Sequence, residues 1–267
     1  MYLDNCIKEL ELNGVVAERV TVNKNGAPFE GLRLGGNDAG IHPVIYPTRE
    51  NSLDDIVSLA KTAMASIPDE ASWKVLSDWE YVRKNMRVAV QKHSTDDVYK
   101  KDYLNLELIM RVHLDFEGTS ASTKVGSSLA KMLGVSETDL WKTALDNCSS
   151  SYQIRSLSEA IGISTDAECP LYVVTSPNTN DGAGALAFPH VFHDFCEEHA
   201  EQSCYILPSS TEEVLVIPAS SALTDPQDLA NMVSTINREI VDPTIQLPAV
   251  AYEYRLDTDS IEIVAEA

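Results

Sequence analysis

The sequence contains no Cys-x-x-Cys pair, no His-Glu-x-x-His, no phosphate-binding glycine loop and no Gly-x-Ser-x-Gly elbow. Those absences remove the usual signatures of zinc ribbons, metalloproteases, nucleotide-hydrolysing enzymes and α/β-hydrolases. No run approaches the roughly 18 apolar residues of a membrane-spanning helix. Met1-Tyr2-Leu3-Asp4-Asn5 has no basic stretch leading into an apolar one, so no secretory leader is expected. Cysteine is sparse and odd in number, with Cys6, Cys148, Cys169, Cys196 and Cys204 scattered along the chain. That pattern argues against a disulfide framework and for reduced thiols in a cytoplasmic protein. Lysine disappears after Lys142, leaving Arg155, Arg238 and Arg255 as the later cations.

What is present begins with charge. The formal net charge is −21, and it is unevenly placed. Met1–Gly134 holds 19 acidic and 16 basic residues, whereas Val135–Ala267 holds 22 acidic and 4 basic. Gripping phosphates requires clustered Lys and Arg, so direct binding of nucleic acid or anionic membrane is not expected of the second half. The hydrophobic fraction of 44% suffices for a packed core, which sets disorder aside.

Periodicity predicts an α+β protein of mainly antiparallel sheets with packed helices, in two closely associated lobes. The expected division is 1–162 and 170–267, with the polar Ile163–Cys169 between, although one continuous domain fits as well. Val15–Val22 and Phe29–Leu34 flank Asn23-Lys24-Asn25-Gly26, a hairpin signal, and Ile41–Tyr46 adds a short strand. Ser52 caps a helix with Leu53, Ile56, Val57, Ala60, Ala63, Met64 and Ile67 on its inner stripe. Leu104–Asp115 alternates strictly enough to predict a strand with Leu104, Leu106, Leu108, Met110, Val112 and Leu114 inside and a wet opposite face. Two helices follow around Gly134-Val135-Ser136. The remainder reads as strand pairs and helices: strands at Leu171–Thr175, Gly184–Ala187, Tyr205–Leu207 and Val214–Ile217, helices at Pro189–Ala200 and from Pro226, and a closing hairpin.

Three segments carry a resemblance. Met132-Leu133-Gly134-Val135-Ser136-Glu137, Leu171-Tyr172-Val173-Val174-Thr175 and Tyr205-Ile206-Leu207-Pro208-Ser209-Ser210-Thr211-Glu212-Glu213-Val214 resemble a family of uncharacterised bacterial proteins of gut anaerobes, domain of unknown function 5688. The resemblance runs from about the first hairpin to the end. Its motifs are caps, turns and a strand pair, so it implies a fold and no catalytic residues.

Candidate sites were weighed against plainer readings. Pro189–His199 holds three histidines, a cysteine and three carboxylates. On a helix, His190, His193 and Glu197 share one face with Asp194, while Cys196 and His199 turn to the core. His190, His193 and Glu197 are therefore the candidate metal ligands; the plainer reading is a solvated acidic face, and no cofactor or metal is expected. Glu107, Arg111 and His113 on the wet strand face are candidate pocket residues, with a solvated, ion-paired sheet face as the alternative. Leu129–Leu145 has the outline of a helix-turn-helix, but Glu137 and Asp139 at the second helix's start would repel phosphate. Glu197, Glu198, Glu201, Glu212 and Glu213 are the candidate acidic interaction surface.

The preferred reading is a non-enzymatic intracellular interaction or regulatory protein whose acidic half meets a basic protein surface. Its alternatives are an inhibitor mimicking nucleic-acid charge, as an anti-defence or mobile-element accessory would, and a hydrolase with an unrecognised site. The sequence carries no signal of oligomeric state.

Overall fold

The computed structural model describes residues 2–35, 42–65, 74–116, 119–160, 162, 170–176, 181–222 and 225–267. Among them the sheets are antiparallel and the helices pack against them, as expected of an α+β chain. Ile163–Cys169, Ile41 and Ile67, which figured in the expectations, lie outside the described residues.

A first unit comprises α1 (Tyr2–Leu12), a three-stranded sheet of β1 (Ala17–Lys24), β2 (Ala27–Leu34) and β3 (Val44–Ile45), and α2 (Leu53–Ala65). Helix α1 is not announced by the sequence, because its buried stripe is only Leu3, Cys6 and Leu10. Ser52 caps α2 as expected, its hydroxyl accepting from the Asp55 N–H. Ile56, Val57 and Ala60 are buried, while Leu53 and Met64 are exposed. The β1–β2 turn places Asn25 at φ 48° and Gly26 at φ 76°, the left-handed pair that a two-residue hairpin turn demands. This turn is wedged into the rest of the molecule. Asn25 Oδ1 accepts from the Lys92 N–H at 2.9 Å, and its amide donates to the Gln246 carbonyl. A Cβ on Gly26 would lie 2.5 Å from the His93 carbonyl oxygen.

The larger body holds two sheets. In the first, β6 (Leu106–Phe116) is central: β4 (Met86–Gln91) covers one edge, and β5 (Lys100–Tyr103) and β7 (Thr119–Lys124) share the other in series. The second sheet runs β13 (Ser260–Glu266), β12 (Val250–Arg255), β10 (Ser203–Leu207), β11 (Val214–Pro218), β9 (Tyr172–Thr175), β8 (Gln153–Ser156). Helices α3 (Trp79–Asn85), α4 (Ser127–Leu133), α5 (Glu137–Cys148), α6 (Leu157–Ala160), α7 (Pro189–Glu198) and α8 (Pro226–Glu239) complete it. Gly134 at φ 66° ends α4, and Ser136 caps α5.

Alternation along the second sheet explains why helices lie on both its faces. Cys204, Ile206, Val214, Val216, Tyr252 and Tyr254 join one large cluster with β4, β6, α5 and α7, whereas Leu207, Ile217 and Ala251 meet Leu229, Ala230 and Val233 of α8. The large cluster takes residues from Val82 to Ile261. The division expected after residue 162 falls between β8 and β9, which are paired neighbours, and the cluster runs across it. The first unit has a hydrophobic cluster of its own, Leu3 to Ala60, as does the α8 face of the second sheet.

Three expectations change locally. Leu104 is not in the strand but at φ 55° in the β5–β6 turn. Gly184–Ala187 is not a strand but part of a 3-10 helix, Gly182–Ala187. The backbone packs there at close range: Gly182 N–H bonds the Glu212 carbonyl at 2.7 Å, and a Cβ on Gly184 would sit 2.7 Å from the Val88 oxygen. Finally, the polar face of β6 is wet only in part: Asp115 is exposed, and Arg111 and His113 are half-buried. Leu106, Leu108, Met110, Val112 and Leu114 are buried as expected, yet Glu107 is only 3% exposed and Ile109 fully buried. Polar side chains from neighbouring segments meet this face and bond to it in place of solvent.

Candidate functional site

The odd-numbered face of β6 carries two separate polar clusters. At the Glu107 end, Oε2 accepts from Gln91 Nε2 at 3.0 Å and from Ser94 Oγ at 3.2 Å. Oε1 lies 3.2 Å from Lys100 Nζ and 3.6 Å from His93 Nδ1. Burial alone would raise this carboxyl, but the hydrogen bonds from Gln91 and Ser94 and the Lys100 ammonium outweigh it and hold it below the usual glutamate range. His93, Asp102 and Glu107 bring one ligand atom each within 4.8 Å of one another, a metal-like grouping that the sequence does not reveal. Lys100 answers for the positive charge there, since its ammonium occupies the carboxylate oxygen a cation would use.

At the other end, Asp181, 3% exposed, accepts from His113 Nε2 at 2.5 Å and from Arg111 Nη1 at 3.4 Å. A cavity of about 10 Å³ beside them is lined by Arg87, His113, Cys148, Ser151, Tyr152, Ser176 and Asp181, which is space for about one water. Thiol, imidazole and carboxylate side by side suggest a nucleophile, but the thiol is badly placed for that role. It lies at the C-terminal end of α5, is 1% exposed, and burial pushes it up, away from the thiolate. Burial, and then the neighbouring Cys148, likewise push the Tyr152 phenol well above its usual value. Glu107 and His113, six residues apart on one strand, stand about 20 Å apart by strand rise. Arg111 and His113 therefore share a site that does not include Glu107. Asp181, its centre, sits at the end of a turn-rich segment with no periodicity to mark it.

The α7 histidines also separate. His190 is exposed and its Nε2 lies 2.7 Å from the Ser149 carbonyl. His193 Nδ1 is 3.7 Å from Asp194 and 3.9 Å from Glu197, contacts of neighbours on an exposed face. Cys196 is fully buried, and His199 is half-buried against Phe195 and Tyr172. Among the described residues, His190, His193 and Glu197 do not gather around one point.

What α7 does build is a groove of about 750 Å³ against β8, β9 and the chain leaving α5. Its floor is aromatic. The Tyr172 ring meets Phe195 and His199 edge-on at 4.9 and 4.8 Å, and Phe195 and His199 lie 4.3 Å apart. Its rim carries exposed Asp194 and Glu198 from α7 and exposed Glu159 from α6, against one cation, Arg155, which bonds Gln153. Of the acids named from sequence, Glu198 lines this groove, and Glu197 lies on the same helix. Glu201 is half-buried and accepts from the Ser220 N–H and hydroxyl. Glu212 and Glu213 are exposed at the β10–β11 turn, the far end of a five-residue strand about 17 Å long. Four of the five acids thus form two patches, and the fifth, Glu201, is employed as a structural acceptor.

Fold and site together define an α+β protein of antiparallel sheets with an acidic, aromatic-floored groove beside α7. The chain belongs to a family of unknown function, DUF5688, whose model matches residues 3–256. The match takes in α1 and the first hairpin as well as the three segments that carry the resemblance. No curated protein and no solved structure matches the chain.

Proposed function

We propose that this is a non-enzymatic, intracellular binding protein whose acidic half receives a basic surface of another protein. The observation that carries the reading is how the cations of this half are used. Of its four cations, Arg238 pairs with Glu239 at 3.2 Å, Arg255 pairs with Asp257 at 3.2 Å and Arg155 bonds Gln153, which leaves exposed Lys142 as the one with no ion pair or side-chain hydrogen bond among the described residues. Glu198, Glu212 and Glu213, by contrast, are exposed and have no ion pair among the described residues. Charge left uncompensated on a surface steers association with an oppositely charged partner. The hydrolase alternative finds its best constellation at Cys148, His113 and Asp181, and the buried thiol and one-water cavity weigh against it.

The test is a pull-down from the native cytosol at rising salt, repeated with Glu197→Lys/Glu198→Lys and with Glu212→Lys/Glu213→Lys. Recovery should fall with salt, because exposed charges are screened beyond about 10 Å at 0.1 M. It should also fall in at least one double variant. Recovery indifferent to both salt and reversal would leave the acidic half as a solubility device and end this reading.

A further inference from the structure

We propose that the groove between α7 and the β8 edge binds an arginine side chain presented by a basic protein segment. This rests on the basic-partner reading and narrows it to one surface and one side chain. The groove offers negative charge from both walls: Asp194 and Glu198, one turn apart on α7, and Glu159 opposite them on α6. Glu159 and Glu198 have no ion pair among the described residues, and Asp194 has only the neighbouring imidazole of His193. Helix α5 ends at Cys148, and Ser149 and Ser150 just beyond it line the groove, so the negative end of the helix dipole lies beside it. Among the described residues the groove's one arginine or lysine is Arg155, which donates to Gln153.

The aromatic floor decides between cations. A guanidinium is planar, weakly hydrated and forked, so it can lie on the Tyr172 and His199 rings while its edge N–H groups reach carboxylates. An ammonium is a compact, strongly hydrated point charge that gains less from such a floor. A bare metal ion would need the carboxylates to converge, and the rim acids stand apart across an open cleft.

Isothermal titration of the full chain with a blocked hexa-arginine peptide, and with hexa-lysine at equal charge, tests this. Hexa-arginine should bind tighter than hexa-lysine by about threefold or more. Asp194→Asn/Glu198→Gln should weaken hexa-arginine by about tenfold, two exposed carboxylates being lost together. Glu212→Gln/Glu213→Gln, remote from the groove, should change it by less than about twofold. If Asp194→Asn/Glu198→Gln fails to fold, Glu159→Gln on the opposite wall carries the same expectation with a smaller loss. Equal affinity for the two peptides, or equal weakening by the two double variants, overturns the groove assignment. If the cytosolic partner is lost on Glu212→Lys/Glu213→Lys while hexa-arginine ignores groove substitutions, the groove inference fails and the basic-partner reading stands. If neither peptide binds at low salt, both fall.

Discussion

At one end of β6 a buried carboxylate on the strand, Glu107, is met by an ammonium that reaches in from the neighbouring strand; at the other end the strand supplies the cations, Arg111 and His113, and a loop supplies the buried carboxylate, Asp181. Lys100 keeps 31% of its side chain in solvent, whereas Arg111 keeps 20% and His113 12%. Each cluster leaves a buried polar atom without a partner, Gln91 Oε1 in one and Arg111 Nε in the other. The comparison teaches that a polar strand face need not be a wet one. Burial of charge is tolerated wherever a partner is delivered, and the two ends differ in how far that partner is itself removed from water.

The largest expected effect comes from breaking what the two ends share. Leu108→Asp places a charge in the cluster beneath both and should cost about 4 kcal/mol in urea denaturation. Wild-type-like melting of that variant would undo the assignment of faces on β6.

The two ends can then be set against each other. Asp181→Ala strips both Arg111 and His113 of their acceptor and should cost about 3 kcal/mol. Lys100→Met strips Glu107 of a partner that stays partly solvated, with Gln91 and Ser94 remaining, and should cost about 1–2 kcal/mol. A reversed order of the two losses would break the comparison.

The smallest effect is a pH slope. The Glu107 carboxyl is held below its ordinary value, so the stability it contributes is present above the unfolded glutamate value of about 4.3 and is lost as pH falls through the lower folded value. Glu107→Gln should flatten the acid limb of a stability-against-pH curve relative to wild type. An unchanged limb would mean that its hydrogen bonds do not favour the charged form.

Elements fixed by local chemistry were legible before the structure. Asn25-Gly26 permits only a few turns, Ser136 and Ser52 announce helix starts, Gly134 a helix end, and Pro226 another start, whose cap the structure gives as Asp225. The inward face of β6 follows from its period of two. The candidate site was legible in pieces only. His190, His193 and Glu197 share a helix face, but nothing local says whether another element will close over them, and none brings them to one point. Asp181, Tyr172 and Lys100 carried no signal, because each gains its role from a partner 7 to 70 residues away: Glu107 for Lys100, Phe195 for Tyr172, Arg111 for Asp181.

By itself, then, the sequence determined the antiparallel α+β character, the caps and turns, and the charge imbalance, since these depend on neighbours within a few residues or on composition alone. Only the tertiary structure decided which polar residues meet, because long-range pairing follows from how sheets and helices stack. It joined β8 to β9 across the expected division, buried the Glu107 end of the outer face of β6, parted four of the five acids into two patches and set aromatic rings beneath the rim of one of them. Hydrophobic periodicity says which face of an element turns inward; it does not say what will be packed against the face that turns away.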